Sequence, residues 1–347
     1  MRSIRAALQP LALGAPSPPV QLPAQPSRSI HVFDPSNPRM VEKLPALAHQ
    51  ADVLLANLED GIRPDQKAAA RQSLVAIANN LDRGNAQLWV RVNGLDAPWF
   101  LDDMLTLTSE ACDRIDVYML PKVQGPEDIE FADRLLAQLE ARAGAHRPIL
   151  VHALLESALG ISNVDAICGA SLRLQGVSIG PADLAADRRM KTTRVGGGHP
   201  DYLVRADSDE AQPSRATYLQ DLWHYTVSRV VDACAAHGVA PIIGPFGDIH
   251  DHVGCEDHFR RASVMGCAGG WTLHPSQLPI AERVFSPRPS EVAWAEKVIA
   301  ALGDGTGTVL VEGTMQDDAT VRQCVVVLET ARLAVSRNPD LAAEYGW

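Results

Sequence analysis

A chain of 347 residues, 46% apolar and 21% charged, can form one large α/β domain with an appendage or two medium domains. No run in it approaches the apolar length of a membrane span. A formal charge of −11 argues against a nucleic-acid partner, which needs a basic face, yet leaves room for a small anion in a locally cationic pocket.

The six cysteines, Cys112, Cys168, Cys234, Cys255, Cys267 and Cys324, have neither C-x-x-C nor zinc spacing. They read as reduced, mostly buried thiols of a cytoplasmic protein. Residues 1–29 carry prolines at 10, 16, 18, 19, 23 and 26 and contain no acid. Those prolines break the amphipathic helix that a transit peptide needs, so the stretch reads as an extended arm over the body or a neighbouring subunit.

Ile30-His-Val-Phe33 is a first predicted strand, followed by a short helix over 40–49. Val53-Leu-Leu-Ala-Asn-Leu58 is a second strand, ending in Glu59-Asp60-Gly61. Asp65 opens a helix to about residue 80, with Lys67 and Arg71 on one face. Leu88-Trp-Val-Arg-Val-Asn93 makes a third strand and Asp116-Val-Tyr-Met-Leu-Pro121 a fourth, followed by Lys122 and a helix over 126–142.

The fifth strand runs through Ile149-Leu-Val-His-Ala-Leu-Leu-Glu156 and the sixth through Gly176-Val-Ser-Ile-Gly-Pro-Ala-Asp183, with a helix over 162–170 between them. An irregular insertion over 191–215 contains Gly196-Gly-Gly-His-Pro200 and is predicted to fold over the strand ends as a lid. A helix over 217–237 is stopped by Gly238; Ala240-Pro-Ile-Ile243 and Gly270-Trp-Thr-Leu-His274 complete eight strands. Eight apolar strands with helical crossovers predict a (β/α)8 barrel of the α/β class over 30–286. The remainder, 287–347, reads as a helix over 291–301, a Gly-rich turn over 303–307, a short run Val309–Val311, a loop over 312–318 and a last helix to about residue 336. It is surplus to the barrel, and so is a candidate lid or oligomer contact.

Glu156 and Asp183 each stand just past a wholly apolar run bounded by glycine or proline, the pattern of a strand buried on both faces. They are therefore predicted at strand C-terminal ends, the rim where chemistry collects in such barrels. Two hard oxygen ligands with room for water and substrate suit Mg²⁺ or Mn²⁺ better than zinc. Either acid could instead cap the helix that follows it. Glu59, Asp60, Arg91, Lys122, Asp248 and His274 fall at other strand ends. Arg91 interrupts an apolar strand, so its guanidinium must face the barrel mouth or pair with Glu59 or Asp60. Gly196-Gly-Gly-His-Pro200 lacks the phosphate-loop pattern and is assigned as a mobile loop. His199 and His274 lack a partner at helix spacing, which favours hydrogen-bonding roles over metal ligation.

These stretches resemble, in order, those of the citrate lyase beta-subunit-like (HpcH/HpaI) aldolase superfamily, and within it the malyl-coenzyme A lyases. The resemblance rests on Asn57-Leu-Glu-Asp-Gly-Ile62, Trp89-Val-Arg-Val-Asn-Gly-Leu95, Met119-Leu-Pro-Lys-Val123, His152-Ala-Leu-Leu-Glu156 and Gly180-Pro-Ala-Asp-Leu-Ala185. It continues through Lys191-Thr-Thr-Arg-Val-Gly-Gly-Gly-His-Pro200, Asp221-Leu-Trp-His-Tyr225, Gly244-Pro-Phe-Gly-Asp248 and His274-Pro-Ser-Gln277. The family's usual aspartate two residues before the Glu-Asp pair is Asn57 here, and its common Lys-Trp-Ala-Ile-His-Pro reads Gly270-Trp-Thr-Leu-His-Pro275.

The resemblance implies metal ligation by Glu156 and Asp183, enolate stabilisation by Arg91, and support from Glu59 and Asp60. It implies coenzyme A and substrate contacts near Phe33, Lys43, the Ala182-Asp183 backbone and Leu273-His274. It further implies an acid/base at Asp317, in Gly313-Thr-Met-Gln-Asp317, delivered by the C-terminal lid of an adjacent subunit in a homotrimer or homohexamer. The implied reaction is cleavage of an acyl-coenzyme A substrate to release glyoxylate or pyruvate. A thioesterase on the same scaffold and a non-catalytic acyl-coenzyme A-binding barrel are the competing readings. Products would separate the first, and the full set of Glu156, Asp183, Arg91 and Asp317 argues against the second.

Overall fold

The computed structural model describes the chain except for residues 1–9, 18, 20, 23, 208–214 and 304–306. Parts of the expected arm, of the 191–215 insertion and of the 303–307 turn therefore lie outside the described residues. Eight parallel strands close into a barrel in the order β1-β10-β9-β6-β5-β4-β3-β2. They are β1 Ser29–Phe33, β2 Val53–Asn57, β3 Gln87–Arg91, β4 Val117–Leu120, β5 Leu150–Leu155, β6 Leu174–Ile179, β9 Ala240–Ile243 and β10 Gly269–Thr272. The chain is a (β/α)8 barrel.

Strand periodicity of two divides the apolar residues into two cores. Ile30, Val53, Leu55, Trp89, Met119 and Trp271 fill the barrel interior, while their neighbours Leu54, Leu88, Val90, Tyr118 and Leu120 pack outward beneath the helices. The interior is apolar apart from a buried group of His152, Ser178 and the Trp271 indole N–H, and several strands carry a polar residue at or just past their C-terminal ends. There β2 ends in Asn57, β3 in Arg91, and β5 runs on to Glu156.

The helices depart from expectation in several places. The crossover from β3 to β4 is a helix, Phe100–Ala111, whose stripe of Phe100, Met104, Leu107 and Ala111 is buried. The expected helix over 40–49 is two single turns, Pro38–Val41 and Leu44–Leu47, and that over 162–170 is Ala158–Ser162 plus Val164–Cys168. The insertion is not wholly irregular, since β7 Leu203–Arg205 pairs antiparallel with β8 Thr217–Leu219. The following helix accordingly starts at His224 rather than at 217.

Beyond the barrel, the helices Pro289–Leu302 and Asp318–Arg337 pack together around Val292, Val298, Leu328 and Tyr345. The expected loop over 312–318 is a turn plus the second strand of a hairpin, β11 Thr308–Val311 with β12 Thr314–Asp317. This unit is fastened to the end of the barrel opposite the rim acids. Arg337 donates to the carbonyls of Ala48 and Ala51 at 2.6 and 2.7 Å, just before β2 begins, and Tyr345 donates to Pro287 O at 2.9 Å. Arg28, on the lead into β1, pairs with buried Asp52 at 2.8 Å at the same end. A cavity of about 430 Å³ also lies there, lined by Pro19, Gln25, Arg83, Asp116 and Arg147, away from the rim. No described helix is long and apolar enough to cross a membrane.

Candidate active site

The rim gathers its polar groups from four successive turns. Glu59 and Asp60 follow β2, Arg91 ends β3, Lys122 follows β4 and Glu156 follows β5. Asp183 is the fifth contributor, but from a helix. It lies in the first turn of Pro181–Asp187, beyond the end of β6, and not on a strand. It is exposed, whereas Glu59 and Glu156 are each 4% exposed.

Glu156 is the most constrained of these acids. Its Oε1 accepts the peptide N–H of Lys122 at 2.9 Å, and a Cβ on Gly180 would stand 2.7 Å from its Oε2, so only glycine leaves this carboxylate its place. Burial pushes Glu156 up to about 8; Arg91 opposes this, and Asp183 and Glu59 add to it. An acid so placed ionises readily only when a cation arrives. Among the described residues no three His, Cys, Asp or Glu side chains group as metal ligands; Asp183 lies near enough to Glu156 for its charge to act on that carboxyl.

Arg91 enters the mouth from β3. Its Nε donates to Asn57 Oδ1 at 2.8 Å, its Nη2 stands 3.3 Å from Glu59 Oε2, and its guanidinium lies 6.0 Å from the Trp271 ring. Glu59 also accepts from Lys122 Nζ at 2.7 Å and from the Asp60 peptide N–H at 2.7 Å. Burial works against its ionisation, but Arg91 and Lys122 outweigh burial and hold the carboxyl below its ordinary value. Asp60 is shifted the other way, by burial and by Glu59.

Sequence reasoning assigned no role to Lys67 or Asn57. Lys67 donates to the carbonyls of Leu58 and Glu59 at 2.7 and 2.8 Å and stands 5.3 Å from the Trp99 ring, fixing the turn that carries the two acids. Its place on one helix face with Arg71 was the available signal.

The remaining expected site residues are spread around the rim. The Phe33 side chain is fully buried in the layer between strands and helices, so only its backbone reaches the rim. Lys43 is exposed at the start of Leu44–Leu47. Ala182 shares its helical turn with Asp183. Leu273 and His274 are exposed past β10, where His274 Nδ1 accepts the Ser276 N–H at 3.2 Å as a local cap.

The glycine run is anchored where a mobile loop was expected. The Gly197 N–H donates to His258 Nδ1 at 3.1 Å, and the Gly247 N–H donates to Val195 O at 2.8 Å. Gly197 has φ +70, and a Cβ there would stand 2.6 Å from the Phe246 ring.

Asp317 does not join the rim within one chain. It caps Asp318–Arg337, its Oδ1 accepting the N–H groups of Ala319 and Thr320 at 3.0 and 3.1 Å. The Thr320 N–H foremost holds its carboxyl below the usual range.

The family model for HpcH/HpaI aldolase/citrate lyase matches residues 29–275. A malyl-CoA/beta-methylmalyl-CoA/citramalyl-CoA lyase of Chloroflexus aurantiacus is 51% identical over 338 residues, 97% of each chain. An L-malyl-CoA/beta-methylmalyl-CoA lyase of Cereibacter sphaeroides is 37% identical over 316 residues, 90% of this chain and 96% of that one. The protein CitE of Mycobacterium tuberculosis, solved in complex with magnesium, acetoacetate and coenzyme A, has a TM-score of 0.66 at 24% identity, covering 89% of this chain and 98% of that one. That last likeness concerns the fold.

Proposed function

The chain belongs to the HpcH/HpaI aldolase/citrate lyase family, and from that premise we propose that it is a metal-dependent carbon–carbon lyase acting reversibly on 3-hydroxyacyl-coenzyme A esters. Its reactions are malyl-coenzyme A to acetyl-coenzyme A and glyoxylate, beta-methylmalyl-coenzyme A to propionyl-coenzyme A and glyoxylate, and citramalyl-coenzyme A to acetyl-coenzyme A and pyruvate. The 51% identity with a lyase named for these three substrates supports the range. The observation that carries the chemistry is the meeting, at one rim, of a hard carboxylate pair with a buried-side arginine.

Glu156 and Asp183 fit a divalent cation: both are hard oxygen donors, and Glu156 is a buried acid lifted to about 8. Mg²⁺ or Mn²⁺ held by this pair would supply Lewis-acid polarisation and a template for the substrate carboxylate and hydroxyl. Arg91 then faces the thioester oxygen. The substrate hydroxyl gives its proton to water and becomes the aldehyde or ketone carbonyl as the C–C bond breaks; the electron pair of that bond flows into the thioester, and Arg91 neutralises the growing enolate charge, a role worth roughly 2.7–4 kcal/mol per donor. Asn57 and Glu59 hold the guanidinium in place. Asp317, from the 287–347 unit of a neighbouring subunit, protonates the enolate carbon, or removes the methyl proton in condensation. A homotrimer or homohexamer supplies that neighbour. Phe33, Lys43, Ala182, Leu273 and His274 border the coenzyme A path. All six cysteines are free, in keeping with a cytoplasmic setting.

The test is metal-stripped protein given malyl-coenzyme A with and without Mg²⁺, with glyoxylate and free thiol followed separately. Glyoxylate appearing only with metal, and no free thiol, is expected. Free thiol without glyoxylate would make the protein a thioesterase.

A further inference from the structure

The turn after β4 carries a conformation that lysine seldom adopts. Lys122 has φ +57, in the left-handed region where a side chain bearing a Cβ is strained. Such strain persists where the surroundings over-determine it, commonly at functional sites. Three carboxylates surround it here. The Lys122 peptide N–H points to Glu156 Oε1 at 2.9 Å, while its ammonium reaches Glu59 Oε1 at 2.7 Å and lies 3.6 Å from Asp60 Oδ2. The other Glu59 oxygen faces Arg91 at 3.3 Å. One residue thus ties the metal-pair acid, by its main chain, to the acid behind Arg91, by its side chain.

Glycine or asparagine would meet this backbone with less strain, so the fold alone gives no reason for lysine. Its ammonium gives one. Glu59 divides one negative charge between Lys122 and Arg91. Without Lys122, Glu59 Oε1 would lose its cation, and the carboxylate would turn to take Arg91 through both oxygens, the geometry that arginine favours. Arg91 would then be drawn back from the mouth and its charge spent on Glu59. Resting on the lyase reading above, we infer that Lys122 is a positioning residue: its left-handed backbone orients Glu156, and its ammonium holds Glu59 so that Arg91 stays directed at the thioester oxygen. The Lys122 side chain is 39% exposed, so it acts less through raw charge, which solvent screens, than through where it keeps Glu59.

The test compares wild type, Lys122→Gly and Lys122→Arg by thermal melting, Mn²⁺ affinity from electron paramagnetic resonance, and steady-state cleavage of malyl-coenzyme A. Lys122→Asn replaces Lys122→Gly if the latter does not fold. Lys122→Gly keeps the peptide N–H and relieves the strain. It is expected to melt no lower than wild type, to bind Mn²⁺ equally well and to leave KM for the acyl-coenzyme A unchanged. Its kcat is expected to fall about 10- to 100-fold, the usual loss when a residue supporting a metal site is removed. Lys122→Arg and added n-butylammonium are each expected to restore part of kcat. A Lys122→Gly enzyme as fast as wild type overturns the inference. So does a kcat loss that comes with an equal loss of Mn²⁺ affinity and resists butylammonium. A wild-type enzyme that releases no glyoxylate overturns the lyase reading itself.

Discussion

The side-chain oxygen of Asn57 accepts the Nε–H of Arg91 at 2.8 Å and, with the same atom, the peptide N–H of Glu59 at 3.0 Å. Its amide nitrogen donates to Asp60 O at 2.6 Å. A neutral residue therefore aims the arginine and leaves its charge to be shared between Glu59 and substrate. Arg91→Lys keeps the charge but cannot reach Asn57 and Glu59 as a planar fork. Its kcat/KM is expected to fall roughly 10²–10³-fold, with coenzyme A affinity retained. Turnover near that of wild type would remove Arg91 from enolate stabilisation.

Glu156→Gln preserves an acceptor for the Lys122 N–H while removing the carboxylate's charge. Asp183→Asn does the same at the exposed position of the pair. Titration calorimetry of Mn²⁺ into each stripped variant is expected to show affinity reduced beyond the roughly 10–100-fold that a supporting residue costs, with the fold intact by circular dichroism. Undiminished Mn²⁺ binding in both would place the metal elsewhere.

Inside the barrel, His152 is held as the Nε2–H tautomer. Gln175 Nε2 donates to its Nδ1 at 2.7 Å, and its own Nε2 faces Ser178 Oγ at 2.7 Å, which also receives Trp271 Nε1–H at 3.0 Å. Burial pushes His152 down to about 3, whereas the unfolded imidazole titrates near 6.5. Between those values the unfolded chain holds one proton more than the folded chain, so this group's contribution is intact above pH 6.5 and is lost as pH falls towards 3. His152→Gln removes that proton uptake. The stability gap between wild type and variant, measured by urea unfolding, is expected to narrow by about 2 kcal/mol from pH 8 to pH 5. A gap independent of pH would mean that His152 is not buried in its neutral form.

The barrel was legible because strands covered on both faces must be apolar, and glycine or proline marks their ends. The rim acids were legible because they stand where those runs stop. Asp183 was misplaced because Gly180-Pro181 opens a helix immediately, with proline in its first turn. The turn at Glu312-Gly313 was read as loop because both residues have positive φ, +49 and +79, and glutamate seldom signals a hairpin of that kind. Lys122 is the same case at the site. Nothing in a Pro-Lys-Val string announces a left-handed lysine, and its two hydrogen-bonded carboxylate partners lie 63 residues before it and 34 after it.

The place of Asp317 yields the strongest prediction. Its hairpin packs on the helices of the C-terminal unit, and that unit is fastened through Arg337 to the barrel end away from Glu156. If Asp317 serves catalysis, it serves a neighbour's rim. Asp317→Asn retains a residue that caps helices as well as aspartate, so it is expected to fold, to bind metal and to lose turnover. Arg91→Ala is expected to be inactive for a separate reason. Neither variant has a complete site alone, but a mixed oligomer brings the Arg91 of one subunit to the Asp317 of the next. With random one-to-one exchange, half the rims carry Arg91 and half of those meet Asp317, so about a quarter of the wild-type rate is expected in a ring of head-to-tail contacts. A mixture shown by native mass spectrometry to contain mixed oligomers, yet still inactive, would confine each site to a single chain and leave Asp317 as a helix cap alone.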